Sequence, residues 1–192
     1  MPFTCRRLQI SGLVLFTPRR FDDERGWFME TFKESAFRDE GVDVRFVQDN
    51  CSLSAKRVVR GLHLQIDSRA QGKLIWAARG RVWDVAVDIR PDSPTLGRWE
   101  AVELDDESRE LFYIPPGFAH GFLALSDDTL LQYKCTAEYD AASERGIRYD
   151  DRDLAIRWPE PNPVLSDRDR QLPTFAALMD EVTRAGSPDG SR

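Results

Sequence analysis

Short runs rich in β-branched and aromatic residues recur along the chain: "RRLQISGLVLFTP", "VVRGLHLQ", "KLIWAARG", "RVWDVAVDIR", "RWEAVEL", "LFYIPP", "GFLALS" and "LLQYKCT". Clusters of Gly, Pro, Asp and Ser separate most of them, which predicts strands joined by turns, as in a sandwich or barrel. Two stretches keep helical spacing instead. They are "ESAFRDEG", about two turns ending at Gly41, and "TFAALMDEVTRAG" near the C-terminus. No repeat, low-complexity block or linker breaks the pattern. The reading is one domain over 1–185 and a flexible tail over 186–192.

Residues two apart on a strand share a face. In "RVWDVAVDIR" this groups Trp83, Val85, Val87 and Ile89 on an apolar face, with Val82, Asp84, Ala86 and Asp88 opposite. In "LLQYKCT" it groups Leu131, Tyr133 and Cys135; in "PGFAHGFLAL" it groups Phe118, His120, Phe122 and Ala124. His63, His120 and Tyr133 are therefore expected to point inward, a polar cluster inside an aromatic wall that suits a small-molecule pocket. His63 sits near Arg60, Gln65 and Lys73, a density of polar groups an ordinary core does not accept. A core histidine held by hydrogen bonds is the plain alternative. Arg60 and His63 are three apart, so a regular strand sends them to opposite faces. Gly61 between them predicts a bulge that re-aims one of them.

Composition narrows the classes. The chain has 192 residues, 41% hydrophobic and 31% charged, as in a folded globular domain. No run approaches the roughly 18 apolar residues of a membrane helix, and the N-terminus lacks a signal-peptide core, so the expectation is a cytoplasmic protein without a membrane partner. A net charge of −6 argues against a nucleic-acid partner but leaves room for a local basic pocket that takes a phosphorylated small molecule. Cys5, Cys51 and Cys135 are odd in number and widely spaced, which suggests neither a disulfide framework nor a zinc site.

Two histidines without an HxH pair are a poor donor set for a metal, so no metal is expected. His120 lies in "YIPPGFAHGF", where a structural turn is the simple alternative. Tyr133 alone reads as packing with a hydrogen-bonded tip, and Lys73 alone as a solvated strand end.

Taken together, "FDDERGWFMETF", "FVQDNCSLS", "VVRGLHLQ", "GKLIWAARGRVWDVAVDIRPDSPTLGRWE", "YIPPGFAHGFLAL", "YKCTAEYD" and "LSDRDRQLP" resemble the dTDP-4-dehydrorhamnose 3,5-epimerase family, in the family's order, over roughly residues 6 to 175. The resemblance implies an all-β, cupin-like jelly-roll barrel with a few short flanking helices, a homodimer, and no cofactor or metal. It implies a dTDP-4-keto-6-deoxy sugar as substrate, inverted at C3 and C5 by proton removal next to the C4 ketone and return from the opposite face. By resemblance His63 matches the base, Asp169 its carboxylate partner, Tyr133 the opposite-face acid and Lys73 the group at the developing enolate oxygen. Arg25, Phe28, Glu30, Gln48, Asn50, Arg60, His120 and Tyr139 match positions around the nucleotide-sugar.

Three departures from the family pattern touch the pocket's surroundings. Leu64 stands where an aromatic residue is frequent, Cys51 where histidine is common, and Glu138 where a second tyrosine often occurs. They leave open a mono-epimerase acting at C3 or C5 alone. A metal-dependent cupin enzyme and a non-catalytic sugar-nucleotide binding module are the readings from other classes.

Overall fold

The computed structural model describes residues 2–186. Its strands are β1 (Phe3–Arg7), β2 (Val14–Pro18), β3 (Arg20–Asp23), β4 (Gly26–Met29), β5 (Gln48–Ser54), β6 (Val59–Gln65), β7 (Lys73–Arg79), β8 (Arg81–Asp88), β9 (Trp99–Asp105), β10 (Leu111–Ile114), β11 (Phe118–Ala124), β12 (Thr129–Cys135) and β13 (Glu144–Gly146). The helices are α1 (Glu34–Asp39), α2 (Asp167–Arg170) and α3 (Phe175–Gly186). Six strands form one sheet in the order β1-β2-β10-β7-β12-β5, and five form a second in the order β13-β6-β11-β8-β9; β3 and β4 make a separate hairpin. The strand pairs within these sheets are antiparallel. The fold is the expected cupin-like jelly roll. The tail expected over 186–192 lies, beyond Gly186, outside the described residues.

Three apolar cores explain why the sheets hold. Between them lie Leu15, Ile75, Ala77, Val82, Ala86, Leu104, Phe112, Phe118, Phe122 and Leu131, all buried. Outside the five-stranded sheet, Leu62, Leu64, Val85, Val87 and Ile89 pack beneath α3 through Leu178 and beneath Ile147 and Leu154. Outside the six-stranded sheet, Phe16 and Leu74 pack against Phe37 of α1, with the Phe16 and Phe37 rings stacked 4.1 Å apart. The central strands of both sheets are thus covered on both faces, while the outer face of β5 stays open. The uniformly apolar face of β8 is accordingly the outer one. The mixed face with Asp84 looks into the barrel.

Some elements depart from the sequence expectation. "RRLQISGLVLFTP" is a hairpin rather than one strand. The chain reverses after Leu8, whose carbonyl-facing turn closes through Leu8 N–H to Leu13 O at 3.0 Å, and Gly12 takes φ +102° in that turn. Helix α1 stops at Asp39, short of Gly41, which has φ +80° just beyond. Strand β5 is a further addition, since "QDNCSLS" lacks an apolar face and gives little strand signal. Its inward residues are polar because they line a cavity.

Candidate active site

The end of the barrel between the sheets holds a cavity of about 460 Å³, lined among others by Ser52, Arg60, His63, Lys73, His120, Phe122, Tyr133, Arg168 and Asp169. A cleft of about 170 Å³ adjoins it and shares His63, Lys73 and Tyr133, adding Gln48, Asn50, Tyr139 and Glu144. Nine of the twelve residues singled out in the sequence therefore meet around one space. Arg25, Phe28 and Glu30 do not. They belong to or follow the β3–β4 hairpin, where Arg25 pairs with Asp23 and Phe28 is 66% exposed.

The local backbone explains how β6 delivers two neighbours to one cavity. His63 lies opposite His120, yet Arg60 lies opposite Phe122, so three steps on β6 face two on β11. This is the expected bulge, at Gly61–Leu62. Gly61 has φ +116°, and a Cβ there would stand 2.6 Å from Gly121 Cα and 2.7 Å from His120 O, so only glycine fits. Leu62 and Leu64 point to the outer core. Arg60 and His63 both face in.

His63 Nε2 donates to Asp169 Oδ1 at 2.7 Å. The carboxylate comes from the first turn of α2, where Ser166 Oγ caps the helix by accepting from Asp169 N–H. Asp169 is 4% exposed, whereas Asp167 points to solvent. Burial pushes the Asp169 carboxyl up, but the hydrogen bond and charge of His63, with Ser166 and the Gly61 N–H, outweigh it and hold it below the usual range. Because an ionised carboxylate only accepts, the bond places the His63 proton on Nε2 and leaves the Nδ1 lone pair available.

Tyr133 and Lys73 stand on the opposite sheet. Burial raises the Tyr133 hydroxyl and lowers the Lys73 ammonium from their ordinary values. His120 forms a second histidine–aspartate pair, its Nε2 at 2.9 and 3.0 Å from the two oxygens of Asp84. Burial lowers the His120 imidazole more than Asp84 raises it, which favours the neutral ring. Each histidine is thus tied to one aspartate, and among the described residues no group of three His, Cys, Asp or Glu gathers as a metal site.

At the adjoining cleft, Gln48 Oε1 accepts from Tyr139 N–H at 2.7 Å and Gln48 Nε2 donates to Asn50 Oδ1 at 3.0 Å. Tyr139 Oη donates to Glu144 Oε2 at 2.6 Å, and Arg168 forms an ion pair with the same oxygen. Glu144, Arg168 and Asp84 escaped sequence reasoning. Asp84 had a usable signal, a carboxylate set in the middle of the apolar stretch of β8. Glu144 and Arg168 sit among many charges and had none. Of the three departures, Leu64 is buried and lines the cleft, Cys51 is exposed on the outer face of β5, and Glu138 offers its carbonyl to Gln65 Nε2 at 3.2 Å.

A cupin-like jelly roll with ionisable side chains facing each other across a cavity has the arrangement that isomerases working by proton movement require. The model of the dTDP-4-dehydrorhamnose 3,5-epimerase family matches residues 7–177, and the chain belongs to that family. It is 48% identical over 167 residues to the dTDP-4-dehydrorhamnose 3,5-epimerase of Methanothermobacter thermautotrophicus, covering 85% of this chain and 90% of that one. The structure is similar to that of dTDP-6-deoxy-D-glucose-3,5-epimerase from Legionella pneumophila in complex with dTDP-4-keto-L-rhamnose, with a TM-score of 0.89, 43% identity and coverage of 94% and 96%. It is also similar to a 3′-monoepimerase from Streptomyces bikiniensis in complex with dTDP-quinovose, with a TM-score of 0.86, 38% identity and coverage of 91% and 90%. Among the described residues no helix is long and apolar enough to cross a membrane.

Proposed function

We propose that the protein inverts C3 and C5 of a dTDP-4-keto-6-deoxyhexose, as its relatives' names describe for them. The observation that carries this reading is the placement of His63 and Tyr133 on facing sheets around one cavity. A sugar ring between them has one face toward each.

In this mechanism the C4 ketone acidifies the hydrogens on C3 and C5. His63 Nδ1 takes one of them: the C–H bond breaks, an N–H bond forms, and the electron pair moves into an enolate. Asp169 stabilises the imidazolium that results. Lys73 stabilises the enolate oxygen. Tyr133 then gives its proton to carbon from the other face. A phenol raised by burial is a weak acid at rest, but an enolate beside it is a far stronger base and draws the proton off. Solvent restores both groups, so solvent hydrogen enters the sugar. Arg60 holds phosphate oxygens, and Gln48, Asn50, Tyr139 and His120 complete the binding shell. No cofactor takes part in these steps.

Double inversion is preferred to a single one because, among the solved structures, identity is higher to the Legionella pneumophila 3,5-epimerase than to the 3′-monoepimerase, 43% against 38%. We further take the enzyme to be a cytoplasmic homodimer. The three cysteines are free, which suits a reducing compartment. The hairpin bearing Arg25 and Phe28 exposes Phe21, Trp27 and Phe28, and among the described residues β5 ends its sheet with no strand beyond it. A second copy that presents this hairpin at the cavity accounts for both facts.

The test is to supply dTDP-4-keto-6-deoxyglucose in deuterated water and follow the C3 and C5 protons by NMR. Deuterium at both carbons with inversion is the expected result. Deuterium at one carbon selects the mono-epimerase, and none at either removes the proposal for this substrate.

A further inference from the structure

Among the described residues a single buried side-chain nitrogen or oxygen lacks a hydrogen-bond partner, Ser52 Oγ. Native structures rarely leave such a group unpaired, because an unmet buried polar group costs stability. Its place points to a reason. Gln48, Asn50, Ser52 and Ser54 alternate along the inward face of β5. Gln48 and Asn50 bond to each other, and Asn50 Nδ2 also reaches Cys135 Sγ at 3.5 Å. Ser54 Oγ accepts from Arg60 Nε at 3.1 Å. Every member of this polar row except Ser52 is engaged.

Ser52 lines the main cavity together with Arg60 and Tyr133. Opposite it on β12 is Leu131, fully buried in the central core, so the hydroxyl has an apolar floor on one side. Arg60 is likewise incompletely matched. Its Nε and Nη2 are anchored on Ser54 Oγ and the Leu53 carbonyl, and it forms no ion pair with a carboxylate among the described residues. A fixed guanidinium without a counter-charge in the same cavity wall as a hydroxyl without a partner is a site prepared for oxygen on an anionic ligand.

We infer that Ser52 is a substrate-positioning residue whose hydroxyl donates to an oxygen of the bound sugar diphosphate next to Arg60. The inference rests on the epimerase reading and adds to it a contact on the inner wall of β5. The unmet hydroxyl is a stability cost retained for binding.

The experiment compares the full chain with Ser52→Ala and Ser52→Thr by calorimetric titration of dTDP and of dTDP-quinovose, together with thermal unfolding. Ser52→Ala is expected to bind about tenfold more weakly, with Ser52→Thr close to the parent, and its Tm is expected to be equal or higher. Weakening toward both ligands assigns the acceptor to a phosphate oxygen; weakening toward dTDP-quinovose alone assigns it to a sugar oxygen. Either supports the contact. Equal affinity of Ser52→Ala and the parent for both ligands overturns it, and so does a Tm several degrees lower in Ser52→Ala, which would reveal a structural partner. A parent chain that binds neither ligand sinks the epimerase reading and this inference with it.

Discussion

His63 Nε2 lies 2.7 Å from Asp169 Oδ1, although 106 positions separate the two residues in the chain. Strand β6 carries one and the short helix α2 the other. The bond fixes which ring nitrogen holds the proton, and so which one is free to act.

If His63 Nδ1 is the base, Asp169→Asn should lower turnover by about 10²–10⁴-fold while KM moves little, since an amide neither fixes the tautomer as well nor stabilises imidazolium. His63→Ala should abolish deuterium entry at both carbons. Steady-state kinetics and NMR exchange read these outcomes. Full activity in His63→Ala would remove the base assignment.

Removing the facing acid should separate two steps. Tyr133→Phe is expected to retain deuterium exchange at the abstracted position while inversion falls by about 10²-fold or more, because His63 can still withdraw and return a proton on its own face. Equal loss of exchange and inversion would place Tyr133 on the deprotonation step instead.

Lys73 is expected to act on charge that develops during the reaction. Lys73→Met should cost about 10²–10³-fold in kcat, with a smaller change in the affinity for dTDP. A loss confined to dTDP affinity would make Lys73 a nucleotide-binding residue.

Gly61→Ala tests the bulge. Its Cβ would meet backbone at 2.6 and 2.7 Å in a conformation with φ +116°, and the Gly61 N–H that supports Asp169 would shift with it. A destabilisation of about 2 kcal/mol or more is expected in chemical denaturation, with activity lost even where the chain folds. Unchanged stability and rate would show that the backbone relaxes freely there.

Away from the cavity, Asp88 predicts part of the acid limit of stability. Burial pushes its carboxyl up, but Arg90, Ser93 and Thr95 outweigh that and hold it down from 3.8 to about 2. A folded pKa below the unfolded one means the contribution is complete above about pH 4 and is lost as pH falls toward 2, an amount of about 2 kcal/mol. Asp88→Asn should therefore lower stability at pH 7 and flatten the decline between pH 4 and 2 in urea titrations.

Strand periodicity made a sandwich or barrel legible, together with the inward aim of His120 and Tyr133; the jelly roll itself came from the family resemblance of the motifs. The bulge at Gly61 was legible too, because three-residue spacing on one strand permits few other ways to gather Arg60 and His63. Strand β5 was harder. Its inward row is polar for the sake of the cavity, so hydrophobic alternation could not report it. Alternation separated the two faces of β8 without saying which looks inward: the all-apolar one lies under α3, and the barrel interior takes the face that holds Asp84. Helix α2 spans four residues, too few for periodicity, and Asp169 was found by its motif. The setting of Arg25 and Phe28 on an outlying hairpin is tertiary and had no local signal.

The facing placement of His63 and Tyr133 makes the central core a spacer. The separation of acid and base follows the spacing of the two sheets, roughly 10 Å between packed sheets in general, which side chains such as Phe122 and Leu131 maintain here. A truncation there, even one that leaves every ionisable group in place, changes how far a proton donor stands from carbon. Tolerance to core substitution should then be narrower for turnover than for folding, and thermal expansion or pressure should alter the rate before either unfolds the chain.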